Sequence, residues 1–305
     1  MELLNLEKTE EGKLIVKIDA SLIKESACER RLWYMLCRGL RKRNSNHKME
    51  YGTAVHKALE SYYADGDEEK AVNMAIDHYV DILVPDKDFR DLAHLVNLLN
   101  QYFKQDTGLE VRKDPDSLVE MRFAYPYKQT PELDIIFCGT IDFVGTYFGR
   151  HVIVDHKSTA AYSPAANFAS YKVSPQLMFY NLIWKTLFPD EDVGCMINGL
   201  FLGRSNKNKF ERSEIYEFSK DRLDKFKAYI DDMVDRLQHK LETYFDTSKE
   251  KEGEDIFLSN FACCETRFGL CSFSPLCTAN SSNDRESIIN MDYVNKVYDP
   301  LQFQL

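Results

Sequence analysis

The sequence predicts an α/β protein: a sheet core preceded by a helical extension and followed by a cysteine-bearing segment. Three observations carry this. Up to about residue 105, apolar residues recur at helical spacing. Between 118 and 157 the period shortens to that of strands, in runs rich in Val, Ile, Phe and Tyr. Beyond 170, one helical pattern and two further apolar strands come before a long amphipathic helix, an order that suits a layered α/β core.

The elements follow in turn. Leu14, Val16 and Ile18 alternate with Lys13, Lys17 and Asp19, a short strand or arm within 1–19. Ser21 is placed to cap a helix running to about Leu40, with Leu22, Ile23, Leu32 and Leu36 as its apolar side. In the next helix, 52–63, Val55, Leu59 and Tyr62 share one face, while His56 and Glu60 share another. Helical spacing continues over 68–83 and 88–105, stopped by Pro85 and Gly108. Strands are predicted at 118–127, 134–148 and 151–157, with Phe148-Gly149-Arg150-His151 turning between the last two. A helix over 174–187 carries Pro175 in its first turn. Strands at 195–202 and 211–218 flank a loop bearing Arg204, Lys207, Lys209 and Arg212. The long helix spans 219–245, a charged connector 247–255, and 279–305 reads as a tail. The expected divisions are an arm (1–20), a helical region (21–115), a core (116–245), a cysteine segment (246–280) and a tail (281–305).

Composition narrows the function. Hydrophobic residues make up 44 % and charged residues 29 %, which excludes collagen-like and mostly disordered chains. Residues 1–17 alternate charged and apolar positions, and no apolar run approaches a membrane span of roughly 18 residues. A soluble cytoplasmic protein in a reducing compartment is expected. The net charge of −10 opposes a polyanion partner on average. The average hides a segment: residues 29–48 carry seven Lys and Arg against Glu29 alone, a net +6, leaving −16 on the rest. That stretch and the Arg204 to Arg212 loop are candidate phosphate tracks. Trp33, Tyr34, Tyr51 and Phe210 lie beside them and could stack on bases of a single strand, although Trp33 equally suits a core. No Gly-x4-Gly-Lys-Ser/Thr loop is present, so the chain is not itself expected to be an ATPase.

Three central features point to chemistry. Gly139-Thr140-Ile141-Asp142 sets an acid inside an apolar strand, and Val152-Ile153-Val154-Asp155-His156-Lys157 ends another in Asp-x-Lys. A buried unpaired carboxylate is costly, so such acids call for a cation or donors. Asp155 and Lys157 are two apart on a strand and point to one face. If the two strands pair, Asp142 and Asp155 converge beside a lysine, which suits a hard divalent cation with the lysine at a scissile phosphate. His56 adds an imidazole, which admits Mn²⁺ as well as Mg²⁺. Glu120, in Leu118-Val119-Glu120-Met121, either joins these groups or is an acid on the strand's outer face.

Each feature alone is common; their order is the stronger signal. In that order the sequence resembles the PD-(D/E)xK nuclease superfamily in its RecB-like branch, which includes CRISPR-associated nucleases. The motifs are Gly52-x3-His56-x2-Leu59-Glu60, Gly139-x2-Asp142, Asp155-x-Lys157 and Gln176-x3-Tyr180. The resemblance implies a restriction-endonuclease-like core, a mixed sheet flanked by helices. It implies His56, Asp142 and Asp155 as Mg²⁺ or Mn²⁺ ligands and Lys157 as the residue that orients water and steadies phosphate charge. Gln176 and Tyr180 would support substrate or the lysine, and Arg30 and Arg31 would contact it. His156, in the middle of Asp-x-Lys, is unusual, and that position contributes mainly its backbone in the family.

Eight cysteines are present, and four fall between 263 and 277, where a reducing compartment makes metal or catalysis the commoner meaning. Close Cys-x2-Cys zinc knuckles are absent. Iron–sulfur members of the branch have one cysteine before the core and three after it. The corresponding residues are Cys28, then Cys264, Cys271 and Cys277, implying a structural [4Fe–4S] cluster that clips the two ends together. Spacing selects Cys264 over Cys263, and zinc is the alternative metal. The function implied is a metal-dependent deoxyribonuclease acting as an exonuclease on single strands or ends. Its partners would be DNA and proteins of recombination repair, CRISPR adaptation or phage replication. The rival is a non-catalytic DNA-binding scaffold that keeps the fold.

Overall fold

Polar caps and a left-handed glycine punctuate the helical extension. Asn46 accepts a hydrogen bond from the Lys48 N–H and starts the His56 helix, His47–Asp65, which ends at Gly66 with φ +81°. Asp67 and Asp91 cap the next two helices, Glu68–Tyr79 and Leu92–Phe103. The computed structural model describes residues 5–43, 46–112, 118–161, 163–205, 207–247, 252–266 and 269–301. The expected connector's centre and the two chain ends therefore lie outside the described residues. The chain divides into two interleaved units, one of residues 45–121 and 140–223, the other of 1–44, 122–139 and 224–305.

In the first unit, the three helices bury Val55, Leu59, Leu95, Leu98 and Tyr102 against Phe143, Val152, Val154 and Met196 of the sheet. The Asp142 strand, Leu133–Tyr147, pairs antiparallel with the Asp155 strand, Arg150–Thr159, from Phe143↔Val154 to Tyr147↔Arg150. The predicted turn joins them, with Phe148 and Gly149 at φ +48° and +78°, as a tight hairpin requires. The Asp155 strand lies parallel to the Asn198 strand, Gly194–Phe201. A parallel pair needs a crossover, and the helix Pro175–Leu187, capped by Ser174, supplies it. Strand side chains alternate, so Val152, Val154 and His156 face the three helices while Ile153, Asp155 and Lys157 face the crossover helix. This is the mixed sheet flanked by helices that the sequence predicts. The last strand, Lys209–Arg212, is shorter than expected, and beyond it Tyr216 rejoins the sheet through a single bridge to Cys195.

In the second unit, Leu14–Ile18 pairs parallel with residues 133–137 and buries Leu14, Val16 and Ile18. The helix expected from Ser21 to Leu40 is broken. Asp19, not Ser21, caps a six-residue helix, Ala20–Glu25, by accepting from Leu22 N–H. Ser26 turns its hydroxyl back to the Ile23 carbonyl, and the chain restarts as Glu29–Leu32 and a wide turn, Trp33–Cys37. The predicted tail is also corrected. Ser282–Asp292 is helical, and Tyr293–Asn295 pairs antiparallel with Leu40–Lys42. Aromatic anchors hold it: buried Tyr293 stacks on Phe273 at 5.7 Å, and the Tyr298 hydroxyl donates to Asp19 at 2.6 Å. Trp33 and Tyr34 here, and Tyr51 in the first unit, are fully buried, so none of them offers a face to a base.

Candidate metal centre and cysteine pocket

The ladder between the Asp142 and Asp155 strands ends at Phe143↔Val154. The next amide, His156 N–H, donates instead to Asp142 Oδ2 at 2.7 Å, so a side chain takes the place of a ladder carbonyl. His56 Nδ1 stands 3.3 Å from the same oxygen. Val144 N–H donates to the Leu118 carbonyl, which sets the strand Val119–Gln129 alongside. Glu120 on that strand has φ +49°, a left-handed backbone that costs a non-glycine residue about 1–3 kcal/mol. One donor atom from each of His56, Glu120 and Asp142 lies within 4.8 Å of the others. Of the two readings the sequence left open for Glu120, the structure takes the inward one.

Asp155 is 1 % exposed and differently engaged. Its Oδ1 accepts from Lys157 Nζ at 2.8 Å and from Gln176 Nε2 at 2.9 Å. Its Oδ2 is 2.7 Å from the same Nζ. Gln176 Nε2 also donates to the Tyr180 hydroxyl at 3.1 Å. The four residues thus form one cluster, and Asp155 is not in the three-donor set. Burial pushes the Asp142 carboxyl up, but His56, Lys157 and the His156 amide outweigh it and hold it below the usual range. For Asp155 burial wins over Lys157 and pushes the carboxyl up. The same pair raises Lys157 against its own burial. The contact of Nζ with both oxygens favours the ion pair over a neutral acid, so Asp155 is read as ionised beside a charged lysine.

A carboxylate pair and an imidazole are donors a hard or borderline divalent ion accepts. Such an ion would be held by His56, Glu120 and Asp142.

Cys28, Cys263, Cys264, Cys271 and Cys277 all line one pocket in the second unit, with Arg30, Arg31, Tyr34 and Ser259 beside them. Backbone N–H groups of Asn260 and Phe273 donate to the sulfurs of Cys28 and Cys271 at 3.4 and 3.5 Å. The small antiparallel pair Glu265–Thr266 and Gly269–Leu270 brings Cys271 N–H onto the Cys264 carbonyl at 2.8 Å. Among the described residues these sulfurs form no three-donor set within 4.8 Å.

The basic stretch is not an open track. Arg30 binds the Glu254 carboxylate and the Glu254 and Phe257 carbonyls. Arg31 binds Glu25 and the Cys263 carbonyl. Arg38 pairs with Glu286, and Arg43 donates to carbonyls of residues 290, 291 and 293. Arg30 and Arg31, expected as substrate contacts, are thus bonded to groups of the same chain around the cysteines.

Two carboxylates, a histidine and a strand-borne lysine on such a sheet are groups that suit metal-assisted hydrolysis of phosphate esters. The family profile of the PD-(D/E)XK nuclease superfamily matches residues 24–278, and the chain belongs to that superfamily, whose nucleases use divalent metals. A solved structure from Eubacterium rectale, described as a candidate exonuclease, is 11 % identical, with 72 % of this chain and 80 % of that chain covered at a TM-score of 0.43. No curated protein matches the chain.

Proposed function

We propose that the protein is a divalent-metal-dependent deoxyribonuclease that acts on single strands or ends. The observation that carries this is the convergence of His56, Glu120 and Asp142 beside the Asp155–Lys157–Gln176 cluster. His56, Glu120, Asp142 and Asp155 would hold Mg²⁺ or Mn²⁺, which when bound polarises phosphate and lowers the pKa of a coordinated water. Lys157 keeps its ammonium charged and directs it from the same strand face as Asp155 toward the phosphate. Gln176 fixes Asp155 Oδ1, and Tyr180 fixes Gln176. A scaffold that only bound DNA would not need this complete set.

The cysteine pocket supports a structural [4Fe–4S] cluster on Cys28, Cys264, Cys271 and Cys277. A zinc ion bonded to four sulfurs at about 2.3 Å gathers them within about 4 Å, whereas a cubane holds them farther apart. The absence of close Cys-x2-Cys knuckles favours the cluster over zinc. End-labelled DNA strands of both polarities, incubated with and without Mg²⁺ or Mn²⁺, test the activity. Metal-dependent shortening from an end is expected. Intact single- and double-stranded DNA under all conditions would leave the scaffold reading standing and overturn ours.

A further inference from the structure

Beneath the metal centre, three strands place polar side chains in one register row: His156 opposite Asn198, and Asn198 opposite Arg212. His156 is 3 % exposed and Asn198 fully buried. Asn198 Nδ2 donates to His156 Nδ1 at 2.9 Å and to the Tyr102 hydroxyl at 2.7 Å. The Tyr102 and Tyr63 hydroxyls meet at 2.5 Å, and the Tyr63 ring lies flat on the His156 imidazole, 5.5 Å between centroids with 6° between planes. The imidazole edge also meets the His56 ring at 6.3 Å.

This row is an expensive way to fill a core. Asn198 Oδ1 and two nitrogens of Arg212 are buried without hydrogen-bond partners, and stability alone favours apolar side chains there. We infer that His156, locked by Asn198, Tyr102 and Tyr63, is a positioning residue that fixes the spacing of the metal donors. The link is direct at two points. The His156 amide holds Asp142 Oδ2, and the His156 ring buttresses His56. A ring stacked by Tyr63 on one face and bonded at Nδ1 by Asn198 restricts the backbone at 156, and the Asp142 carboxylate follows it. Outer groups that orient metal ligands in this way typically change affinity 10–100-fold when removed.

The inference rests on the reading of His56, Glu120 and Asp142 as a metal site. It is tested on the full chain without DNA, by Mn²⁺ titration followed by electron paramagnetic resonance, with a thermal melt of each metal-free variant. Asn198→Leu and His156→Phe should each weaken Mn²⁺ binding about 10–100-fold, and the double variant should be no worse than the weaker single. Tyr102→Phe, which removes only a hydroxyl, should weaken it about threefold and keeps the test open if a larger change prevents folding. Asn181→Leu is the control: it breaks an equally buried bond, to the Val193 carbonyl, away from the site. It should lower the melting temperature and leave the Mn²⁺ midpoint alone. Folded Asn198, His156 and Tyr102 variants that bind Mn²⁺ within twofold of the parent overturn the inference. A parent protein that binds no Mn²⁺ overturns the metal-site reading instead.

Discussion

Glu120 combines a strained backbone with a carboxylate aimed at His56 and Asp142. Strain that persists where a donor is needed has a simple test. Glu120→Gly relieves the left-handed φ, a gain of about 1 kcal/mol that glycine's greater chain entropy partly offsets. The metal-free melting temperature should stay level or rise slightly while Mn²⁺ affinity falls about tenfold or more. A melt that drops with unchanged Mn²⁺ binding would make Glu120 structural. For Lys157 the proposed role is in catalysis. Lys157→Ala should lower turnover by about 10²–10³, typical of losing one group that stabilises developing charge, while DNA binding persists in a gel-shift assay. Undiminished cleavage would remove Lys157 from the mechanism. That His56 approaches Asp142, and that Asp155, Lys157, Gln176 and Tyr180 lie together, was legible in the sequence because short motifs on regular elements carry them. Glu120 was only half legible, since nothing in a residue's type announces a positive φ. The partners of His156 were invisible, because Tyr63, Tyr102 and Asn198 come from three separate segments.

Elements were read well where a cap, a turn or strict alternation marked them, as at Ser174, at Phe148-Gly149 and in Leu14–Ile18. The long N-terminal helix failed because Asp19 competed for the cap and Ser26 diverted a hydrogen bond, both local choices that periodicity ignores. At this scale Asp88 ties the His56 helix to the loop ahead of the Leu92–Phe103 helix, bonding His47 Nε2 at 3.0 Å and Arg90 at 2.8 Å. Burial opposes its charge, but His47 and Arg90 prevail and lower the carboxyl to about 2. A carboxyl depressed on folding stabilises above its unfolded pKa near 3.8, and that contribution is lost as pH falls through about 2. Asp88→Asn should therefore melt several degrees below the parent at pH 7, with the gap closing between about pH 4 and pH 2. A gap independent of pH would place the cost in packing rather than charge. The cysteine elements make a parallel case. Cys271→Ala should lose iron, its broad absorption near roughly 400 nm, and much of the stability. An equally stable, iron-free variant would contradict the structural cluster.

For the molecule as a whole, the charge reading changes most. The +6 of residues 29–48 looked like a nucleic-acid track, yet Arg30, Arg31 and Arg38 pair with acids, and Arg43 bonds to carbonyls, of the same chain. Sequence could not show this, because Glu254 and Glu286 lie more than two hundred positions away. The fold class was legible because the order of periods is a whole-chain property that local errors do not disturb. Among the described residues, no helix is long and apolar enough to cross a membrane.

The antiparallel pair of Leu40–Lys42 with Tyr293–Asn295 has a consequence for biosynthesis. A ribosome delivers residue 40 long before residue 293, and at about 5–20 residues per second the wait is of order ten seconds or more. Leu40 and Tyr34 thus have no final partners until residues 254–295 emerge. The same holds for Cys28, whose companions all lie beyond residue 260. Its unit therefore closes late and over a long loop.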